Sequence, residues 1–179
     1  MKNLFKKIGA LLVAAIMVLA MASTAFADGP TATITVNNAD KATLTYAQVI
    51  RADQTTRTGW AFVNDDVKNA YIQAYEVADD DAQAAIEALI ANTDAEKLGK
   101  AQALAAGKVS FVEMSNPQTV SEAGVYLVKA TEVGYTYNIM SAYVGFGEAP
   151  NLTNAIVNAK KTPIQVNKKV LDTENVTKT

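Results

Sequence analysis

The chain has no cysteine and no histidine among its 179 residues. Together these absences exclude a Ser-His-Asp triad, a thiol nucleophile and the ordinary zinc ligand sets. With no disulfide available, stability must come from core packing or from some other crosslink. The sixteen basic residues, against eighteen acidic, are unevenly placed. Lys2, Lys6 and Lys7 sit in the first seven residues, ahead of the apolar run IGALLVAAIMVLAMA, and Ala25-Phe26-Ala27 follows as a small-x-small cleavage site. This is the pattern of a secretory signal peptide cut after Ala27. A retained membrane anchor fits less well, because fifteen apolar residues fall short of the roughly twenty that a spanning helix needs.

Removing residues 1–27 takes three of the sixteen basic residues and no acid, leaving thirteen against eighteen acidic residues, a net charge of −5. Nucleic acid is therefore not an expected partner, nor is a membrane once the leader is gone. The remaining length, about 150 residues, suits one ordinary domain core with a remnant of a second.

Alternation of apolar and polar residues marks strands in TATITV (31–36), ATLTYAQVIRA (42–52) and Trp60-Ala61-Phe62-Val63. Helical spacing then takes over at Val67, Tyr71, Ile72 and Tyr75 behind the capping run Asn64-Asp65-Asp66, and continues in AQAAIEALIA after Asp79 to Asp81. Thr93 with Glu96 makes a T-x-x-E capping box for a third helix that ends near Gly107. From Lys108 onward β-character returns in KVSFVEM, GVYLVKAT, SAYVGF, LTNAIVN and PIQVNKKV. The fold expected is mainly β (α+β), an Ig-like antiparallel β-sandwich over residues 28–160 with a helical insertion at about 65–106. Lys161-Thr162-Pro163 is expected as a linker, since proline cannot donate a ladder hydrogen bond. Residues 164–179 then offer the opening strand of a second Ig-like domain whose remainder is missing, because a lone strand cannot bury both faces.

In PIQVNKKV the residues Ile164, Val166, Lys168 and Val170 share one strand face. A lysine in an apolar row is costly unless it is paired or loses its charge. Two readings stand: Lys168 is buried for a chemical purpose, or it snorkels at the end of an exposed strand.

Three stretches together resemble the N-terminal domains of Gram-positive sortase-assembled pilins and related isopeptide-forming fimbrial proteins. They are Gly124-Val125-Tyr126-Leu127-Val128 with Gly134-Tyr135-Thr136-Tyr137-Asn138 and Ala142-Tyr143-Val144; Asn154 to Lys160; and Val166-Asn167-Lys168-Lys169-Val170. The resemblance implies a structural subunit of a surface fimbria or pilus, exported to the cell wall or medium and not an enzyme, with adhesion to a host surface as its role. Its partners would be other pilin subunits, joined by a sortase, and a host-surface protein or glycan. It also implies that Lys168 is an isopeptide-forming lysine, attacking an Asn side chain with help from a carboxylic acid and releasing ammonia. Neither partner is found after it, so Lys168 is expected to be unreacted in this chain. Lys160 and Lys161 become candidate sortase acceptors, although the Tyr-Pro-Lys-Asn context of the family is absent and a linker lysine pair is more often a solvated face.

No metal or organic cofactor is expected. Asp79-Asp80-Asp81 lacks the alternating oxygen ligands and glycine of a calcium loop, and helix capping accounts for it. The alternative function is a secreted adhesin or carbohydrate-binding module on the same scaffold, which requires the tyrosines to cluster on an exposed face. A hydrolase would require two opposed carboxylates about 5 to 9 Å apart.

Overall fold

A computed structural model describes residues 29–91, 93–148 and 151–165. The leader with its cleavage site at Ala27 lies outside these residues, as do Lys168 and the rest of 166–179.

Two sheets share one apolar core. The larger is built on β2 (Thr43–Ala52), which pairs antiparallel with β6 (Gly124–Thr131) on one side, and β6 pairs onward with β8 (Met140–Val144). On the other side of β2 lie two short strands, β3 (Trp60–Phe62) against its second half and β4 (Val112–Glu113) against its first. The smaller sheet has β1 (Ala32–Asn37) at its centre, antiparallel to β5 (Gln118–Val120) and parallel to β9 (Ala155–Asn158). Alternation in β1 turns Ala32, Ile34 and Val36 inward and leaves the threonines half-exposed, as period two requires. This is the mainly β, Ig-like sandwich expected, with one departure: first and closing strands run in the same direction.

Between β3 and β4 the chain forms α1 (Asp65–Tyr75), a single 3-10 turn, α2 (Ala82–Ala91) and α3 (Ala95–Ala105). Asn64 caps α1, its Oδ1 accepting from Val67 N at 2.8 Å, and Asp81 caps α2 through Gln83 N and Ala84 N. Thr93 does not cap α3. That place belongs to Asp94, whose Oδ1 accepts from both Glu96 N (3.0 Å) and Lys97 N (3.1 Å). A carboxylate there satisfies two orphan donors and also meets the positive end of the helix dipole.

The helices lie on the larger sheet. Gln102 of α3, one of the few buried polar side chains, donates to Ser141 Oγ of β8 at 2.8 Å. Lys129 of β6 donates to Ala106 O at the end of α3 and sits 3.8 Å from the centroid of the Phe111 ring. Residues Gly124 to Val128 are all buried, which is why this stretch of β6 reads as a continuous apolar run and not as an alternating one. Phe62 and Tyr71 meet at 5.1 Å between ring centroids, joining β3 to α1. At the start of β6 the Tyr126 hydroxyl donates to Glu122 O at 2.8 Å, the arrangement of the tyrosine corner of β-sandwiches.

The last described segment differs from expectation. Lys161–Pro163 is not a free linker but a strand, β10, paired antiparallel with β7 (Tyr135–Tyr137) in a separate two-stranded sheet. Pro163 is tolerated because this little ribbon is all edge, so no ladder donor is required of it.

Candidate functional site

The residues singled out in sequence are only partly brought together. Lys160 is exposed and lies two residues beyond the end of β9, while Lys161 begins β10. The neighbourhood of Lys161 is the hairpin of β6 and β7, where Glu132 and Tyr135 form a bridge and Val133-Gly134 makes the turn. Lys161 Nζ lies 3.1 Å from Glu132 Oε2 and 3.4 Å from Oε1. It also stands 4.4 Å from the centroid of the Tyr135 ring. The Tyr137 hydroxyl donates to the same Oε2 of Glu132.

The Glu132 side chain is only 10% exposed and that of Lys161 37%, so the pair sits at the boundary of solvent and is not a freely solvated surface contact. Strand pairing aligns it: Lys161 faces Tyr137 across the β7–β10 ladder, and Pro163 faces Tyr135. Electrostatics follow the geometry. The Tyr137 hydroxyl, then the Lys161 ammonium, hold Glu132 below its ordinary pKa, with Lys41 adding a smaller pull. Glu132 in turn raises both Lys161 and Tyr137. The arrangement favours a charged amine and a charged carboxylate, the opposite of what direct condensation between them would need.

Nothing in sequence pointed to Glu132, which lies 29 residues before its partner. In sequence Tyr135 and Tyr137 stand out as parts of the GYTYN motif and among the tyrosines of the glycan-platform alternative, with nothing to tie them to Lys161. A second feature that went unread is Asn116. Its side-chain amide accepts from Val36 N at 2.9 Å and donates to Val36 O at 2.8 Å, extending the β5 edge of β1 by one residue's worth of pairing. On the other edge Thr33 N donates to Asn154 Oδ1 at 2.8 Å, Asn37 Nδ2 to Asn158 Oδ1 at 3.1 Å and Ala159 N to Asn37 O at 3.0 Å.

Of the acidic cluster, Asp81 serves the structure: it caps α2 and lies 3.5 Å from Arg57 Nη2, whose Nε donates to Glu87 at 2.9 Å. Among the described residues no group of His, Cys, Asp or Glu could hold a metal ion. Also among them, no helix is long and apolar enough to cross a membrane. Among the described residues the aromatic side chains do not make an exposed platform. Trp60, Tyr71, Tyr75 and Tyr126 are buried, and Tyr46, Tyr135, Tyr137 and Tyr143 are half-buried. Trp60 meets Tyr143 at 5.9 Å and Phe146 at 6.0 Å between centroids, an arrangement that belongs to the core.

No protein-family model matches the sequence, and no curated protein matches it. Among solved structures, the T6 backbone pilin of serotype M6 Streptococcus pyogenes, described as a modular three-domain structure decorated with variable loops and extensions, is similar at a TM-score of 0.42 with 14% identity. That likeness covers 78% of this chain and 30% of the pilin.

Proposed function

We propose that this chain is a structural subunit of a bacterial surface fimbria or pilus, exported and non-enzymatic, that serves host-surface adhesion through the assembly it builds. One observation carries the reading: β9 closes the sandwich parallel to β1, with Ile34 to Asn37 in register with Ala155 to Asn158. Parallel neighbours start at the same end, so the chain enters β1 at one end of the domain and leaves β9 at the other. Tension passed along the chain would then shear the whole β1–β9 ladder at once, including the Asn37–Asn158 bridge. That geometry suits a module set in line with others. A catalytic or sugar-binding domain has no need of it, and the burial of the aromatic side chains speaks against a glycan platform.

Within this reading Lys160 and Lys161 are the candidate amines for a sortase, and Lys168 is the lysine for an isopeptide bond in the domain that follows. The test is an immunoblot, raised against this protein, of the cell-surface fraction of the producing bacterium after boiling in detergent. A ladder of detergent-resistant species is expected. A single band at the monomer mass, found only in the medium, would overturn the reading.

A further inference from the structure

Lys161 opens β10 at the exit of the sandwich, with its ammonium held against Glu132. We propose that Glu132 is the positioning residue that decides whether Lys161 can act as a nucleophile: with Tyr137 and Tyr135 it clamps the ammonium, so that Lys161 fastens β10 to β7 and accepts an acyl group only when that clamp opens. The inference deepens the pilus reading, since it concerns one of that reading's two candidate acceptor amines, but its chemistry can be tested without any sortase.

The argument is geometric. Three features converge on one Nζ: two carboxylate oxygens at 3.1 and 3.4 Å and an aromatic ring face at 4.4 Å. Each prefers the ammonium to the free amine, through charge for the carboxylate and the ring quadrupole for Tyr135. The carboxylate cannot swing away easily, because the Tyr137 hydroxyl holds Oε2 and the side chain is nearly buried. Nor can the backbone beneath Lys161 shift alone. Lys161, Thr162 and Pro163 are in register with Tyr137, Thr136 and Tyr135, and Ile164 N donates to Gly134 O at 2.9 Å. An amine must first lose a proton and then reach its electrophile, and the clamp opposes both steps.

The titratable and charged groups facing Lys161 are Glu132, Tyr135 and Tyr137 from the β6–β7 hairpin, with Lys41 of the β1–β2 turn acting on Glu132. The raised pKa of Lys161, whose largest cause is its hydrogen bond to Glu132, agrees with the geometry.

The experiment is a timed reaction with the N-hydroxysuccinimide ester of acetic acid, read by peptide mass spectrometry. In this reaction the Nζ–C amide bond forms and the C–O bond to N-hydroxysuccinimide breaks; of the two protons the ammonium nitrogen gives up, one passes to buffer and the other leaves with N-hydroxysuccinimide. In Glu132→Gln the acetylation rate at Lys161 is expected to rise about fivefold near neutral pH, because the ammonium loses the carboxylate that favours it over the free amine. Rates at Lys68 and Lys100, far from the clamp in sequence, should change less than twofold. An unchanged rate at Lys161 in a folded Glu132→Gln protein would overturn the proposal. A pH profile of the unaltered protein guards against a variant that fails to fold. There the Lys161 rate should climb at higher pH than that of free Nα-acetyl-lysine amide in the same buffer, and coincident profiles would equally overturn it. The absence of polymers at the cell surface would instead count against the pilus reading, so the two failures are distinguishable.

Discussion

Asn116 supplies Val36 with what a strand neighbour would supply: its Oδ1 accepts from Val36 N at 2.9 Å and its Nδ2 donates to Val36 O at 2.8 Å. Antiparallel pairing of β5 with β1 stops at Gln118 opposite Ile34, and the amide takes over where it stops. Val36 itself is 2% exposed, so water is a poor substitute partner. Asn116→Ala should therefore cost about 2 kcal/mol, from two lost hydrogen bonds and a backbone left unpaired beside the core. Urea unfolding followed by circular dichroism checks this, and a loss below about 0.5 kcal/mol would show that the backbone finds other partners.

Gly124 begins β6 opposite Arg51 of β2, just beyond the irregularity between Gln48 and Ile50. A Cβ at this position would stand 2.1 Å from Ile50 O and 2.8 Å from Gln48 Nε2. The carbonyl belongs to the strand backbone and cannot turn aside, so Gly124→Ala must push β2 and β6 apart. A loss of about 2 to 3 kcal/mol is expected, at the upper end for overpacking, and a thermal melt measures it. An unchanged melting temperature would mean that the two strands separate there at no cost.

Four tyrosines should stay protonated well into alkali. Desolvation pushes Tyr75 and Tyr143 up to about 12 and raises Tyr71 and Tyr126 further. A tyrosine whose folded pKa lies above its unfolded value contributes stability that is complete below the unfolded value and is lost as pH climbs through the folded one. Stability should accordingly fall from about pH 10 upward, and phenolate absorbance for these side chains should appear together with unfolding. Their ionisation in a still-folded protein would contradict the buried aromatic core.

On the acid side the clamp at Glu132 sets the trend. Its folded pKa is depressed, first by the Tyr137 hydroxyl and then by Lys161, so its contribution is present above the ordinary carboxylate range and disappears as pH falls through the folded value. Lys161 is raised, so its share is complete below its ordinary value and is lost as pH rises through the folded one. The β7–β10 ribbon should be held between those limits and loosen outside them. Amide hydrogen exchange at Ile164, whose N–H is bonded to Gly134 O, reads this directly. Exchange protection independent of pH, once corrected for the intrinsic rate, would contradict the clamp.

Much of this fold is legible in sequence because long periodic segments state their burial. The threonine alternation of β1 and the apolar run of β6 carry their strands, and Asn64 carries the start of α1. The short strands are another matter. Gln118–Val120 and Tyr135–Tyr137 are three residues each, among turn residues, and owe their existence to a partner elsewhere in the chain. Lys161–Pro163 reads as a linker because a proline ends it, and only the presence of β7 makes it a strand. The cap of α3 shifted by one residue because Thr93 and Asp94 are both good caps and only geometry chooses. The candidate site shows the same division. Lys160 and Lys161 could be named from sequence, but the carboxylate and phenol that clamp Lys161 come from 24 to 29 residues away.

The account rests most heavily on β9 lying parallel to β1, and single-molecule force spectroscopy addresses it within one sheet. Pulling between residues 30 and 160 loads the parallel β1–β9 ladder in shear, whereas pulling between residues 30 and 121 peels the antiparallel β1–β5 pair from the end where Ala32 faces Val120. The first geometry should rupture at clearly higher force than the second. Equal forces, or a weaker β1–β9 rupture, would contradict a module built to carry tension along a chain of subunits.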